Sequence, residues 1–194
     1  SVYQECLKGM PSDKPIRVAV PVNLRPYFAS NTTKNFFVMV SAEFHPTKED
    51  YTFEEILQTV RESLKAQINK ENLEKLFSYN VSNEKVWIAR IAPLFLKNLA
   101  MKIVYTQSAL ANTTTITNIG NIGVEDVYKP YIEMFHAFLA MSKGQHIKGT
   151  ICSYDDTLVF TFSYDLQDTG IQKVFFRKIA ADGIEVQLDS NSGL

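Results

Sequence analysis

The chain has 194 residues, a net charge of −1 at pH 7, and 45% hydrophobic and 21% charged residues. That length buries a real core within one domain, and those fractions belong to an ordinary soluble globular protein. Near-neutral charge leaves no electrostatic footprint for nucleic acid or an anionic membrane surface, so neither is expected as a partner.

Two cysteines, Cys6 and Cys152, fit neither a metal-ligand spacing nor a disulfide framework and point to a reducing, cytoplasmic compartment. Three glycosylation-type triplets begin at Asn31, Asn80 and Asn112. With no signal peptide to carry the chain to a glycosylating compartment, they read as chance matches.

In chain order, Ile16, Val18, Val20 and Val22 share one parity, which predicts a strand with one buried face. The loop "PYFASNTTK" follows, and then "NFFVMVSAEFH", in which Phe36, Val38, Val40, Ala42 and Phe44 form a fully apolar face. The other face of that second strand turns polar towards its end. Thr52 and Glu55 form a capping box. Phe53, Ile56, Leu57, Val60 and Leu64 give the helical stripe behind it, and the helix, or a broken pair, continues through Leu73, Leu76 and Phe77. From Val86 to Tyr105 the sequence is largely apolar, yet Arg90, Pro93, Lys97 and Lys102 interrupt it, so no membrane span is expected. Ile88, Ile91, Phe95, Leu99 and Ile103 fall three or four apart, predicting a core helix with a broad buried face.

In the second half, "NTTTITNIGNIGV" reads as a β-branched strand ending in glycines. "YIEMFHAFLA", "IKGTICSY" and "TLVFTFSY" read as consecutive strands, the last two joined by the turn Asp155-Asp156. Thr169 and Gln172 suggest a second capping box, Gly183 a helix C-terminal glycine, and "IEVQL" a final short strand. No linker or repeat divides the chain. Strands, long helices, more strands and a closing helix predict an α/β two-layer sandwich of the α+β kind, a mixed, largely antiparallel sheet covered by helices.

His45 reads as a solvated strand end, His136 as a hydrogen-bonded core or semi-buried residue sharing parity with Ile132, Met134 and Phe138, and His146 as exposed. None has a carboxylate or nucleophile at a telling offset, so no triad, dyad or metal set follows. Cys152 lies among β-branched and aromatic residues and reads as an inert buried thiol. The glycines of "TNIGNIG" either bring backbone close to a ligand or make a turn; the lysine and hydroxyl of a phosphate loop are missing. Arg25, between Leu24 and Pro26 at a strand mouth, is expected half-buried and in need of a carboxylate, because an unpaired buried charge costs several kcal/mol. The other reading is a surface arginine.

The order "IRVAVPVNLRPYF", "NFFVMV", a long helical stretch, "TITNIGNIG" and "LVFTFSYDLQDTGIQKVFFRKIAADGIEV" resembles the C-terminal half of the CoA-dependent acyltransferase superfamily. That superfamily includes chloramphenicol acetyltransferase, nonribosomal peptide synthetase condensation domains and the alcohol acetyltransferases; the likeness is closest to the last. The resemblance implies a chloramphenicol acetyltransferase-like fold. It also implies a His-His-x-x-x-Asp-Gly motif in an N-terminal lobe, whose second histidine is the general base and whose Asp pairs with an arginine. Arg25 matches that arginine and would form a structural salt bridge to the other lobe. Asn118 and Gly120 match the strand end that borders the acyl-transfer channel. Ser163, Tyr164 and Asp168 stand where the histidine motif would fall in the related lobe fold, so no catalytic residue is assigned to this chain.

The expectation is therefore that residues 1–194 form a single domain, the C-terminal lobe of a bilobal acyltransferase, inactive alone. No tightly bound cofactor or metal is expected; acyl-CoA or an acyl-carrier thioester is the implied co-substrate. The partners are an N-terminal lobe of the same polypeptide, the thioester donor and a small alcohol or amine acceptor, and a homo-oligomer of the chain is also allowed. Two rivals stand beside this reading: a single-domain trimeric acetyltransferase, and a non-catalytic binding module that kept the fold.

Overall fold

Period-two patterning in the first fifty residues produces a hairpin. The computed structural model describes residues 15–46, 51–85, 91 and 93–191, with side chains at 80–85 and 108–110 left aside. Strands β1 (Ile16–Asn23) and β2 (Phe37–Phe44) pair antiparallel, with Val20 opposite Val40 and Val22 opposite Val38. Val38, Val40, Ala42 and Phe44 are buried, as the alternation requires, while Phe37 and Met39 point to the open side. In β1 the most buried residue is Ala19, of the opposite parity to the expected valine face. Ala19 is small and stands level with Ser41 of β2 and Thr115 in the strand on its other side, so the side chains flanking it on that face shield it.

Helix α1 (Phe53–Gln67) begins at the expected capping box, with Thr52 and Glu55 each accepting the other's backbone N–H. It gives way to α2 (Lys70–Lys85), so the pair is indeed broken. The break is local chemistry: the Asn69 side chain accepts the N–H of Asn72 at 2.9 Å and caps the new helix. Leu64, Ile68 and fully buried Leu73 close over Val38, Val40 and Leu24, the heart of the core, flanked by Val20, Val22, Tyr27, Phe28 and Phe36. Helix α1 also blocks the sheet edge. The Gln67 amide accepts from Ser41 N at 3.2 Å and donates to Ser41 O at 2.7 Å, as a neighbouring strand would. Ser63 Oγ accepts the Glu43 N–H at 3.2 Å. An edge strand whose backbone groups are taken up in this way offers no template for another chain.

Helix α3 (Leu94–Ala111) overturns one expectation. Phe95, Leu99 and Ile103 were to be buried, yet they are 70%, 57% and 51% exposed, and Ile91 is more exposed still. Ile88 lies outside the described residues. The sequence pattern registers that a helix is apolar, not whether an element of the same chain lies over it. No helix among the described residues is long and apolar enough to cross a membrane.

β3 (Thr114–Asn121) runs parallel to β1 on one side and to β4 (Ile147–Tyr154) on the other, and β5 (Thr157–Tyr164) returns antiparallel to β4. The order β2-β1-β3-β4-β5 makes a five-stranded mixed sheet. Its four pairings divide evenly between parallel and antiparallel, so the sheet is less antiparallel than expected. The turn Asp155-Asp156 joins β4 to β5 as anticipated, with Asp155 in the left-handed region at φ 51°. Helix α4 (Gly170–Ala181) packs Phe175 and Phe176 onto Phe160 and Phe162, with ring centroids 4.5 to 5.8 Å apart. Strand register puts this cluster on the same face as the α1–α2 core.

Gly149 lets that aromatic layer seat. A Cβ there would sit 3.0 Å from the Phe160 ring and 3.3 Å from Ile116. Gly149→Val is expected to cost about 1–3 kcal/mol through overpacking, visible as a lower urea midpoint at constant m-value.

Three further expectations change. Thr169 makes no side-chain cap; Asp168 Oδ1 accepts the Gly170 N–H at 2.8 Å instead. "IEVQL" forms no strand. "YIEMFHAFLA" enters no ladder either: after a 3-10 turn at Lys129–Tyr131 it crosses the sheet face as extended chain. Gly183 does end α4, at φ +87°, with the N–H of Gly183 on Ala180 O and of Ile184 on Ile179 O, the paired bonds of a Schellman motif.

Candidate functional site

Because β1, β3 and β4 are parallel, their carboxyl ends share one end of the sheet, the position that open α/β sheets use for ligands. Arg25 leaves β1 there, and Asn118 and Gly120 lie at the end of β3. The ladder shifts register between Asn118 and Gly120, so Ile119 bulges out. Gly120 takes φ +83°, which a side chain would resist, and its N–H is held by Asn118 Oδ1 at 2.8 Å. The glycine therefore serves a bulge that re-aims the strand end. Asn118 itself is exposed.

Arg25 is fixed from two directions. Its backbone N–H donates to Asn23 Oδ1 at 3.1 Å, a turn contact that sequence reading missed. Its Nη2 donates to Thr32 O at 3.1 Å and Lys34 O at 3.0 Å. The expected half-burial is not found: the residue is exposed, touched by the loop through two carbonyls at Nη2. No carboxylate among the described residues pairs with it. With Nη2 committed to the loop, Nε and Nη1 remain as donors on a guanidinium whose direction is already set.

Ser163, Tyr164 and Asp168 lie at the opposite end of the sheet. Ser163 pairs with Lys148, and Tyr164 with Ile147 at the start of β4. Arg25, Asn118 and Gly120 thus share one end of the sheet, and β5 carries Ser163 and Tyr164 to the other.

Beside that motif stands a pair the sequence reading did not assign. His146 Nδ1 lies 2.9 Å from Asp165 Oδ1, and the Asp165 N–H donates to His146 O at 3.3 Å. A signal existed: a two-residue turn at 155–156 places residues 146 and 165 directly across the hairpin. Both side chains are more than half exposed and no hydroxyl or thiol bonds to the histidine, so the pair clips a hairpin mouth and contributes little energy. His45 also has a carboxylate neighbour, Glu43 at 3.5 Å, which in turn lies 2.9 Å from Arg17. His136, expected in the core or semi-buried, is exposed and stacked on Phe138 with centroids 6.5 Å apart; its segment lies flat on the sheet, so this parity faces outward. Cys152 is buried, as expected. Among the described residues no group of three or more His, Cys, Asp or Glu is arranged to hold a metal. Away from this site, the Glu71 carboxyl is held below its ordinary value by a hydrogen bond and the charge of Lys75, 2.6 Å away on the solvent side of α2.

This end of the sheet thus carries a prepared guanidinium and a re-aimed strand end. No family model, curated protein or solved structure matches this chain.

Proposed function

We propose that the chain is the C-terminal lobe of an O- or N-acyltransferase with a chloramphenicol acetyltransferase-like fold, moving an acyl group from a CoA or carrier-protein thioester to an alcohol or amine. The observation that carries the lobe assignment is α3. Leu94, Phe95, Leu96, Leu99, Met101, Ile103, Val104 and Tyr105 are all exposed and occupy every side of the helix. Apolar side chains on every side of a helix call for cover, which the described residues do not give it; in this reading the other lobe gives it. The acyltransferase class rests on the order of sequence segments, and Arg25 supports it as a fixed cation with no acid paired to it among the described residues.

In this reading the other lobe supplies a histidine base, which takes the acceptor's proton as the acceptor oxygen or nitrogen attacks the thioester carbonyl. The tetrahedral adduct expels the thiolate, which recovers the proton. Arg25 pairs with the aspartate of the base's loop, and Asn118 and Gly120 line the channel. Ser163 and Tyr164 do not serve as bases near neutral pH.

The test begins with the parent open reading frame, where a His-His-x-x-x-Asp-Gly motif is expected upstream. Thiol release from acetyl-CoA or a longer acyl-CoA should then require the full-length protein, the isolated chain giving none above background. Turnover by a trimer of the isolated chain sinks the half-enzyme reading in favour of a single-domain transferase. Absence of the motif from a complete reading frame sinks it in favour of a binding module.

A further inference from the structure

Residues 132–140 lie across β4 and β5 on the helix-free face without a main-chain hydrogen bond to either strand. Side chains from below hold the segment instead. Cys152 Sγ donates to Phe135 O at 3.2 Å, Thr161 Oγ1 donates to Ala137 O, and Lys148 Nζ donates to Ala140 O at 2.7 Å and to Ser142 Oγ. The Phe135 ring meets Tyr154 edge-on at 5.2 Å. Lys148, Thr150, Cys152 and Thr161 underneath are 7%, 3%, 1% and 8% exposed. An ammonium so deeply covered, with neutral acceptors and no carboxylate, is unusual in a sheet core.

We infer that residues 132–140 form a displaceable strap, latched by Lys148, which opens as a unit and uncovers a floor bearing an ammonium, two hydroxyls and a thiol. The physical basis is the kind of bonding. A strand in a ladder is lost only with its sheet, whereas a segment held by a few side-chain bonds opens at lower free energy than the domain. The cationic bond to Ala140 is the strongest of the set, which makes Lys148 the latch. The floor lies on the same face as Phe37 and Met39, the side of the sheet that no described helix covers. This inference does not rest on the acyltransferase reading.

Cys152 is a built-in reporter. In a Cys6→Ser background, its modification by an aromatic disulfide reagent should proceed in the folded protein, with a shallower urea dependence than global unfolding followed by circular dichroism. Lys148→Met should raise that rate about tenfold or more, and Thr161→Val, which keeps the shape of the side chain, about fivefold. Amide exchange should rise over 133–140 and stay unchanged in β1 and β2. Should Lys148→Met fail to fold, Thr161→Val alone carries the test. The strap is overturned if Cys152 reacts only with the slope and midpoint of global unfolding, or if the folded variants leave its rate unchanged.

Discussion

Leu24→Ala is expected to lower stability by about 3–5 kcal/mol, the upper half of the range for a buried leucine truncated to alanine. Leu24 has no exposed surface and sits at the centre of the cluster formed by Val38, Val40 and Leu73. Elements on three sides fix its surroundings: β2, α2, and the turn that Leu24 itself begins. Its N–H donates to Phe36 O, and its carbonyl accepts from Tyr27 and Phe28. The cavity left by truncation therefore cannot collapse by moving one element. A domain of this size has about 5–15 kcal/mol in all, so one substitution removes a large share of it. Chemical denaturation should show a falling midpoint at an unchanged m-value, and a loss under about 1 kcal/mol would contradict the packing described. The same change should loosen the Arg25 turn, since the residue before the guanidinium is the anchor of that turn.

What the sequence reveals follows how local each signal is. Alternation in β2 and the capping box at Thr52 depend on neighbours within a few residues, and both appear where expected. Gly183 likewise closes α4 through contacts inside two turns. Signals that need a second element were less legible. The segment 131–140 has strand-like composition, but a strand also needs backbone partners, and this segment is held by side chains of β4 and β5 instead. Thr169 lost its cap to Asp168, one residue upstream, a competition between two good capping side chains that spacing does not decide.

The candidate site divides in the same way. At Asn118 and Gly120 the glycines pointed to a turn or a close backbone approach, and the structure has a bulge within a strand that runs on to Asn121. The contacts of Arg25 to Thr32 O and Lys34 O were not, because backbone carbonyls of a loop leave no mark in residue identities. The burial of α3 was misread for a deeper reason: hydrophobic periodicity reports what a helix needs, and the partner that meets the need can lie on another body.

Arg25→Ala in the full-length protein is expected to lower kcat by about 10²-fold or more while leaving the folding transition almost unmoved. The two effects separate because the residue is exposed. Within this chain it loses hydrogen bonds to Thr32 O and Lys34 O, each worth about 1 kcal/mol or less in contact with water. Across the proposed lobe boundary it loses the partner of the aspartate that orients the base, and a misplacement of about 1 Å in a reacting group costs on the order of 10²-fold. Arg25→Lys should recover only a small part. An ammonium keeps the charge, but it cannot hold both loop carbonyls and still present a planar fork to a carboxylate. Guanidinium ion at low millimolar concentration should partly restore the alanine variant and leave the lysine variant unchanged, a response that a merely structural role of the loop would not give. A folded Arg25→Ala protein with wild-type kcat would remove Arg25 from the mechanism, leaving the uncovered helix as the mark of a missing partner with no chemistry assigned to it.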